Sequence, residues 1–283
     1  MGIEKIGVVG AGTMGHGIGQ VAAQAGFATL LCEVNEERVV AGLDKIRASL
    51  AKSVQLGKMG NGEREAALGR ISTTTDLAEV STTVEMVIEA VPENLELKRE
   101  IFENIELECP AGVVLATNTS SLSVAAIATR LADPGRLIGM HFFNPVHVMS
   151  LIEIVRHGKA RTEVVDLAVC VAKRMRKTPI VVNDVPGFAT SRLGVLLGLE
   201  AMRMLEDGVA SVQDIDIAME LGYRHPMGPL KLTDLVGLDV RLAIARYLHK
   251  ELQSEAFCPP KILERMVDEG RLGKKSGHGF YEW

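Results

Sequence analysis

The feature that most constrains the fold is a glycine-rich turn directly after the first apolar run of the chain. Residues 6–15 have the sequence IGVVGAGTMG, which places Gly10, Gly12 and Gly15 between a short apolar segment and a segment that favours helix. Here the first glycine permits a tight turn and the second permits close approach of the backbone to a pyrophosphate, while the third permits close packing of helix and strand. Free amide groups at the start of the helix also attract phosphate. The pattern therefore predicts a strand–turn–helix unit that binds a dinucleotide.

An acidic residue after the second apolar run indicates which dinucleotide. The run at residues 28–32 is followed by Glu33, 18 residues after Gly15. A carboxylate at this place can accept hydrogen bonds from ribose hydroxyls and would repel a 2′-phosphate. We therefore predict NAD, rather than NADP, as the cofactor. The residues expected to contact it in this region are Gly10, Gly12, Thr13, Met14, Gly15 and Glu33.

Strand and helix patterns alternate from the N-terminus to about residue 184. Strand patterns lie at residues 28–32, 71–73, 85–91, 113–117 and 137–140, and helical patterns at 36–56, 94–107 and from 124. The first of these helices has an apolar stripe of Val39, Val40, Leu43, Ile46 and Leu50. Such alternation predicts right-handed crossovers and the α/β class, with an N-terminal Rossmann-type, doubly wound, mostly parallel sheet.

The remaining hundred residues show helical patterns only. These lie at residues 190–205, 211–221, 229–251 and 260–269, with Gly208 at a left-handed C-terminal position and Ser211 as an N-cap. We therefore predict an NAD-binding domain at residues 1–184 and an all-helical domain for substrate binding and dimerisation at residues 185–283. About a hundred residues of helix cannot bury all of their apolar faces against one another. We therefore expect part of the surface of this domain, including the run at 193–199, to form a homodimer interface.

Composition excludes several other functions. A net charge of -5, without a basic run that interleaves with aromatic residues, argues against nucleic-acid binding. No apolar stretch reaches the roughly 18 residues that span a bilayer, and the N-terminus does not resemble a signal peptide. The four cysteines lack C-x-x-C spacing, which argues against a zinc site or redox pair and favours reduced thiols. We expect a cytoplasmic protein with no metal and no membrane partner.

His141 is the candidate catalytic base. Ligands of open α/β sheets bind beyond the carboxyl ends of the strands, and four polar clusters follow strand patterns there, at residues 10–15, 92–94, 118–121 and 141–145. Histidine, with an unperturbed pKa of about 6.5, can exchange a proton at cellular pH. Serines such as Ser121 and Ser123 have an equally good interpretation as turn formers or helix caps.

Glu153 is the candidate partner of that histidine. It lies within the apolar run 149–155, where a carboxylate is unfavourable unless it has a partner. Paired with His141 it would fix the tautomer of the imidazole and stabilise the imidazolium. A purely structural pair with an arginine is the alternative. A serine hydrolase is disfavoured, because Ser120 and Ser121 are not part of a Gly-x-Ser-x-Gly elbow.

Several longer motifs resemble one family over essentially the whole chain. They are NTSS at 118–121, HFFNP at 141–145, DVPGF at 184–188, HPMGP at 225–229 and GKKSGHGFY at 273–281. Together they resemble the (S)-3-hydroxyacyl-CoA dehydrogenase family, and within it the bacterial 3-hydroxybutyryl-CoA dehydrogenases. The resemblance implies a Rossmann domain with a helical dimerisation domain, an acyl-CoA substrate and a place in fatty acid metabolism.

The resemblance also implies residue roles. His141 corresponds to the catalytic histidine, Glu153 to its acidic partner, and Ser120 to a serine that contacts the substrate oxygen. Residues corresponding to positions near the NAD are Glu33, Glu93, Lys98, Asn144 and Lys275. Ser49 corresponds to a position that contacts CoA.

Two departures bear on substrate identity. Where the family usually has asparagine after the Pro-Gly-Phe motif, this chain has Ser191, which can still donate a hydrogen bond but is shorter. Leu56 replaces a basic residue near the CoA, and Lys52 or Lys58 could substitute for it. Two alternatives therefore stay open: a dehydrogenase of a free hydroxy acid, as in the lambda-crystallin and gulonate dehydrogenase branch, and a protein that binds NAD without turnover.

Overall fold

The computed structural model describes residues 2–283, which divide into two compact units. The first unit ends at Asp184, and the second comprises Val185–Trp283. Each unit has its own cluster of buried apolar side chains. Among the described residues, no helix is long and apolar enough to cross a bilayer.

The first unit contains one eight-stranded sheet. Its strands are β1 (Lys5–Val9), β2 (Ala28–Cys32), β3 (Ile71–Thr74), β4 (Met86–Glu89), β5 (Val114–Thr117), β6 (Leu137–Phe142), β7 (Leu151–Arg156) and β8 (Thr178–Asn183). Their spatial order is β3-β2-β1-β4-β5-β6-β7-β8, and all neighbours are parallel except β6 and β7. The order reverses direction at β1, which is the switch point of a doubly wound sheet. The predicted mostly parallel α/β fold is confirmed.

Helices connect these strands. They are α1 (Gly15–Gln24), α2 (Glu36–Gln55), α3 (Asn61–Leu68), α4 (Leu77–Thr83), α5 (Leu95–Glu108), α6 (Val124–Ile127) and α7 (Thr162–Arg174). The side chain of Asn35 caps α2 by accepting from the amide of Arg38, and Asn94 caps α5 in the same way. The inward stripe predicted for α2 is wrong at Val40, which is 48% exposed, because it lies one helical step away from the buried Val39.

The second unit is helical, as the patterns predict. Its helices are α8 (Thr190–Glu206), α9 (Val212–Gly222), α10 (Pro229–Val236), α11 (Leu238–Leu252) and α12 (Lys261–Asp268). Gly208 has the expected positive φ of 68° after α8, and the hydroxyl of Ser211 accepts from the amide of Asp214 at the start of α9. The single helix predicted over residues 229–251 is wrong: Gly237, with φ 104°, separates α10 from α11.

Two buried aspartates hold the loops of this unit. The carboxylate of Asp234 accepts from the amides of Phe280 and Tyr281, both at 2.9 Å, and from the indole nitrogen of Trp283 at 3.0 Å. Asp216 accepts from the amide of Leu230 at 2.8 Å and from the hydroxyl of Tyr281. Backbone amides at the start of α10 and in the C-terminal tail therefore satisfy both carboxylates.

Candidate active site

The glycine turn has the geometry that the sequence predicts for a pyrophosphate cradle. Gly10 has φ 96°, and a Cβ there would lie 2.8 Å from the carbonyl oxygen of Ala90. A Cβ on Gly15 would overlap the carbonyl oxygen of Gly10, so the close approach of α1 to the turn requires glycine. Around Gly12, by contrast, a Cβ would meet no described atom within 4 Å. The protein itself does not require glycine at that place, which fits a phosphate group that approaches the backbone there.

Glu33 lies beside this turn. Its Oε1 accepts from the amide of Ala11 at 3.0 Å, and its Oε2 accepts from the amide of Val34 at the same distance. These two bonds fix the carboxylate next to the glycine turn and leave further lone pairs for ribose hydroxyls. The residues present therefore fit a dinucleotide. The neighbouring Thr13 is exposed and Met14 is half-buried.

A buried ion pair lies at the end of β4. The ammonium of Lys98 contacts both carboxylate oxygens of Glu89, at 2.7 and 2.9 Å, and both side chains are fully buried. Burial raises the pKa of Glu89, and the Lys98 charge and the Thr117 hydroxyl oppose that rise. Sequence reasoning missed Glu89, although a carboxylate in the apolar run 85–91 was the same signal that singled out Glu153.

The same lysine is linked to Glu93 and the loop after β5. Glu93 lies 3.6 Å from the Lys98 ammonium, and its Oε1 accepts from the Thr119 hydroxyl at 2.6 Å and the Ser120 amide at 2.9 Å. Burial would raise the pKa of Glu93, but the Thr119 hydrogen bond, the Lys98 charge and the loop amides together lower it. Lys98 is thus enclosed and orients Glu93. Direct contact of either residue with the cofactor stays a prediction.

His141 and Glu153 are direct neighbours across the antiparallel strands β6 and β7. Their Cα atoms are register partners, and Nδ1 of His141 lies 2.7 Å from Oε2 of Glu153. His141 is 7% exposed and Glu153 is fully buried. The expected contact is therefore present. His141 does not follow the end of a strand, as the sequence suggested, because β6 continues to Phe142.

A cavity of 370 Å³ brings several predicted residues together. Besides apolar side chains it is lined by Met14, Glu93, Asn118, Ser120, His141 and Asn144. Asn118 also accepts from the amide of Phe142, which ties the end of β5 to β6. The imidazole of His141 packs against the ring of Phe143 with their centroids 4.5 Å apart. The cavity thus contains a histidine that is paired with a carboxylate and a serine hydroxyl, and Met14 of the glycine turn forms part of its wall.

Other predicted residues lie outside this cavity. In the first unit Lys52 is exposed, and the hydroxyl oxygen of Ser49 is enclosed without a hydrogen-bond partner among residues 2–283. In the second unit Ser191 lies in the first turn of α8, and the ammonium of Lys275 lies 2.6 Å from Oδ2 of Asp239. Ser123 is a helix cap: its hydroxyl oxygen accepts a hydrogen bond from the amide of Ala126 at the start of α6.

One group of metal-capable side chains lies in the second unit. Ligand atoms of His249, Glu255 and Cys258 lie within 4.8 Å of one another, and the Glu255 side chain is 90% exposed. No residue of this group lines the cavity described above. No sequence pattern indicates this group, because its members do not follow a metal-ligand spacing.

Three features are typical of an NAD-dependent oxidoreductase. They are the doubly wound sheet, the glycine turn that fits a pyrophosphate, and the histidine–carboxylate pair near the carboxyl end of β6. Comparison with known families agrees with this class. Residues 5–185 match the 3-hydroxyacyl-CoA dehydrogenase NAD binding domain, and residues 187–283 match the C-terminal domain of the same family. The chain belongs to the 3-hydroxyacyl-CoA dehydrogenase family.

Relatives are similar over the full length. The chain is 43% identical to a probable 3-hydroxybutyryl-CoA dehydrogenase of Bacillus subtilis, over 100% of this chain and 98% of that protein. It is also 43% identical to a 3-hydroxybutyryl-CoA dehydrogenase of Mycobacterium tuberculosis, over 99% of both. The crystal structure of (S)-3-hydroxybutyryl-CoA dehydrogenase PaaH1 from Ralstonia eutropha superposes with a TM-score of 0.95, at 36% identity and 99% coverage of both chains.

Proposed function

We propose that this NAD-dependent 3-hydroxyacyl-CoA dehydrogenase acts on short-chain substrates, with (S)-3-hydroxybutyryl-CoA and acetoacetyl-CoA as its reactant pair. The observation that carries the chemistry is the 2.7 Å contact between His141 and Glu153, in a cavity that His141 shares with Ser120. The names of the full-length relatives support the short acyl chain.

The histidine is the proton acceptor in this proposal. Glu153 accepts a hydrogen bond from Nδ1–H of His141, which leaves Nε2 as the unprotonated nitrogen of the neutral ring. Nε2 takes the proton of the C3 hydroxyl as the C3 hydride is lost, and the Glu153 carboxylate stabilises the imidazolium that forms. In the reverse direction Nε2 returns the proton to the carbonyl oxygen.

The remaining residues orient the reactants. The Ser120 hydroxyl donates a hydrogen bond to the substrate oxygen, and Ser191 takes the role of the usual asparagine. Bound NAD supplies the hydride acceptor. Glu33 and the glycine turn hold its adenosine half, and Glu93, Asn144 and Lys275 complete its site. Ser49 and Lys52 contact the CoA.

The test is the initial rate of NADH oxidation with acetoacetyl-CoA, with NADPH in parallel. We expect NADH-dependent turnover that excess free CoA inhibits competitively. His141→Ala should lower kcat by about 10²–10⁴-fold, with NADH binding retained. His147→Ala, which removes an exposed imidazole from the following loop, is the matched control and should retain the rate. A His141→Ala enzyme with more than a tenth of the wild-type rate would exclude this histidine as the base.

The protein is also proposed to be a homodimer through its second unit. Large apolar side chains there are exposed, among them Leu193 at 63%, Leu197 at 43% and Leu221 at 78%. Leu193 and Leu197 lie one helical turn apart on α8, and adjacent exposed apolar side chains of this kind are typical of an interface. Light scattering should give twice the mass of one chain, and Leu193→Asp together with Leu197→Asp should give the monomer.

A cytoplasmic setting is the last part of the proposal. It is supported by the four cysteines, which are all unpaired. Cell fractionation with an antibody against the protein tests it.

A further inference from the structure

Three side chains of the second unit bring different metal-binding atoms close together. The ligand atoms of His249, Glu255 and Cys258 all lie within 4.8 Å of one another, and Nε2 of His249 is 4.0 Å from Oε1 of Glu255. Nitrogen, oxygen and sulfur ligands of one tetrahedral zinc ion lie about 3.4–3.6 Å apart. Coordination therefore requires movements of about 1 Å, which the exposed side chain of Glu255 can make.

The imidazole of His249 is oriented for metal binding. His249 lies in the last turn of α11, and its Nδ1 is 3.0 Å from the carbonyl oxygen of Ser254. A carbonyl oxygen can only accept a hydrogen bond, so Nδ1 carries the proton. In the neutral ring Nε2 then has the free lone pair, and it is Nε2 that lies near Glu255. Metal-binding histidines are typically held in this way, by a hydrogen bond from the second ring nitrogen.

Glu255 and Cys258 belong to one short turn that the rest of the second unit holds in place. A 3₁₀ helix begins at Glu255, and the amide of Cys258 donates to the carbonyl oxygen of Glu255 at 3.0 Å. Side chains three residues apart in such a turn project on the same side. Phe257, between them, is buried in the apolar cluster. Arg203 of α8 donates to the carbonyl oxygens of Ala256 and Cys258, both at 2.9 Å. The backbone that carries both ligands is thus fixed.

The combination of ligands indicates which ion. Thiolate sulfur favours zinc over magnesium, calcium or manganese, and zinc also binds imidazole nitrogen and carboxylate oxygen. A thiolate and a carboxylate together carry two negative charges, which a dication neutralises. The absence of C-x-x-C spacing argues only against zinc sites that use two neighbouring cysteines, whereas this group contains one cysteine.

We propose that His249, Glu255 and Cys258 form a zinc site, which joins the last turn of α11 to the 3₁₀ turn that follows it. The chain supplies three ligands, and water takes the fourth position of the tetrahedron. Because the three ligands come together only in the folded chain, the ion stabilises the second unit. No residue of the site lines the cavity of His141, so the proposal does not depend on the function proposed above.

The test is a titration of the full-length protein, freed of metal with a chelator, first with Co²⁺ and then with Zn²⁺. We expect one Co²⁺ per chain and a thiolate-to-cobalt absorption band in the near ultraviolet, which Zn²⁺ removes. Cys258→Ser should abolish the band. Glu255→Gln should weaken Co²⁺ binding at least about tenfold, since even the loss of a group behind a ligand costs that much. Cys170→Ser removes the exposed cysteine of the first unit, and as the matched control it should keep the band.

Thermal unfolding gives a second measurement. Zn²⁺ should raise the Tm of wild type and of Cys170→Ser, but not that of Cys258→Ser. Because Cys258 is exposed, its variant should have the wild-type Tm in the presence of chelator. No band in wild type with Co²⁺ at about 1 mM, the weak limit of useful affinity, would overturn the proposal. So would a band that persists in Cys258→Ser, or one that Cys170→Ser abolishes equally, since both mean that cobalt binds thiols elsewhere.

Discussion

The two units satisfy their buried carboxylates in different ways. In the first unit Glu89 and Glu153 each contact a side chain that itself carries or takes up a proton, Lys98 and His141. In the second unit Asp216 and Asp234 accept from backbone amides and from the side chains of the C-terminal tail. Amide donors cannot change their charge, so the second arrangement only fixes loops. The first can respond to a proton, which is why chemistry is expected there.

Removing Lys98 should give the largest effect on stability. Lys98→Met leaves the Glu89 carboxylate enclosed without a cation, and we expect a loss of about 3–5 kcal/mol in the free energy of unfolding. Urea unfolding at pH 7 measures it. Arg47→Met, which breaks an exposed pair with Asp44, should change the same quantity by less than about 1 kcal/mol. Equal losses for the two variants would mean that the buried pair is not ionised.

Glu153→Gln tests the other carboxylate of the first unit. Glutamine retains the size of the side chain and an oxygen that can accept from His141, but it cannot compensate the imidazolium. We expect kcat to fall by about 10²-fold and the pH profile of kcat to change. Glu163→Gln, an exposed residue on α7, should leave both unaltered. An unchanged profile in Glu153→Gln would remove this carboxylate from the mechanism.

Asp234→Asn tests the arrangement of the second unit. One oxygen of Asp234 accepts from two groups, and an amide cannot reproduce all three hydrogen bonds. We expect a loss of about 1–2 kcal/mol and a red shift in the emission of Trp283, the single tryptophan of the chain. Activity with acetoacetyl-CoA should fall less than in Glu153→Gln. Asp268→Asn, at an exposed position of α12, is the control for the lost charge.

The smallest expected effect concerns Glu93 and depends on pH. Because the pKa of Glu93 lies below its ordinary 4.5, the ionised carboxylate stabilises the fold. This contribution is fully present above pH 4.5 and is lost as the pH falls through the lowered value. We expect Glu93→Gln to reduce stability by about 0.5–1 kcal/mol at pH 7, discounted for partial exposure. The difference in Tm between wild type and variant should shrink below pH 4.5, and a constant difference would contradict the assignment. Glu100→Gln is an exposed control on α5.

Much of the first unit could be predicted from the sequence, because its signals are local. The glycine turn and the apolar runs each identify an element within ten residues. The pairing of His141 with Glu153 could be predicted from the sequence because a carboxylate within an apolar strand needs a partner. The same reasoning applied to Glu89, but its partner Lys98 is on a helix, where a lysine is usually solvated. Only packing shows that this lysine is enclosed.

The second unit was predicted less completely. Helical periodicity alone did not reveal the break at Gly237, since apolar residues continue on both sides of it. Arg241 of α11 is buried, and its burial depends on the face of α11 that packs against α8; no local pattern specifies that contact. Asp216 and Asp234 likewise accept hydrogen bonds from the C-terminal tail, and no local pattern predicts a contact between residues so far apart in the chain.

The ladder between β6 and β7 has a consequence for how this protein can vary. His141 and Glu153 meet because their backbones are register partners, so the meeting does not depend on the intervening loop. Side-chain substitutions among residues 147–150 should therefore leave this pair in contact. A single deletion within β7 would turn the carboxylate to the opposite face of the sheet. Side chains at the rim of the cavity can therefore vary, while the contact between His141 and Glu153 is determined by the backbone pairing of β6 with β7.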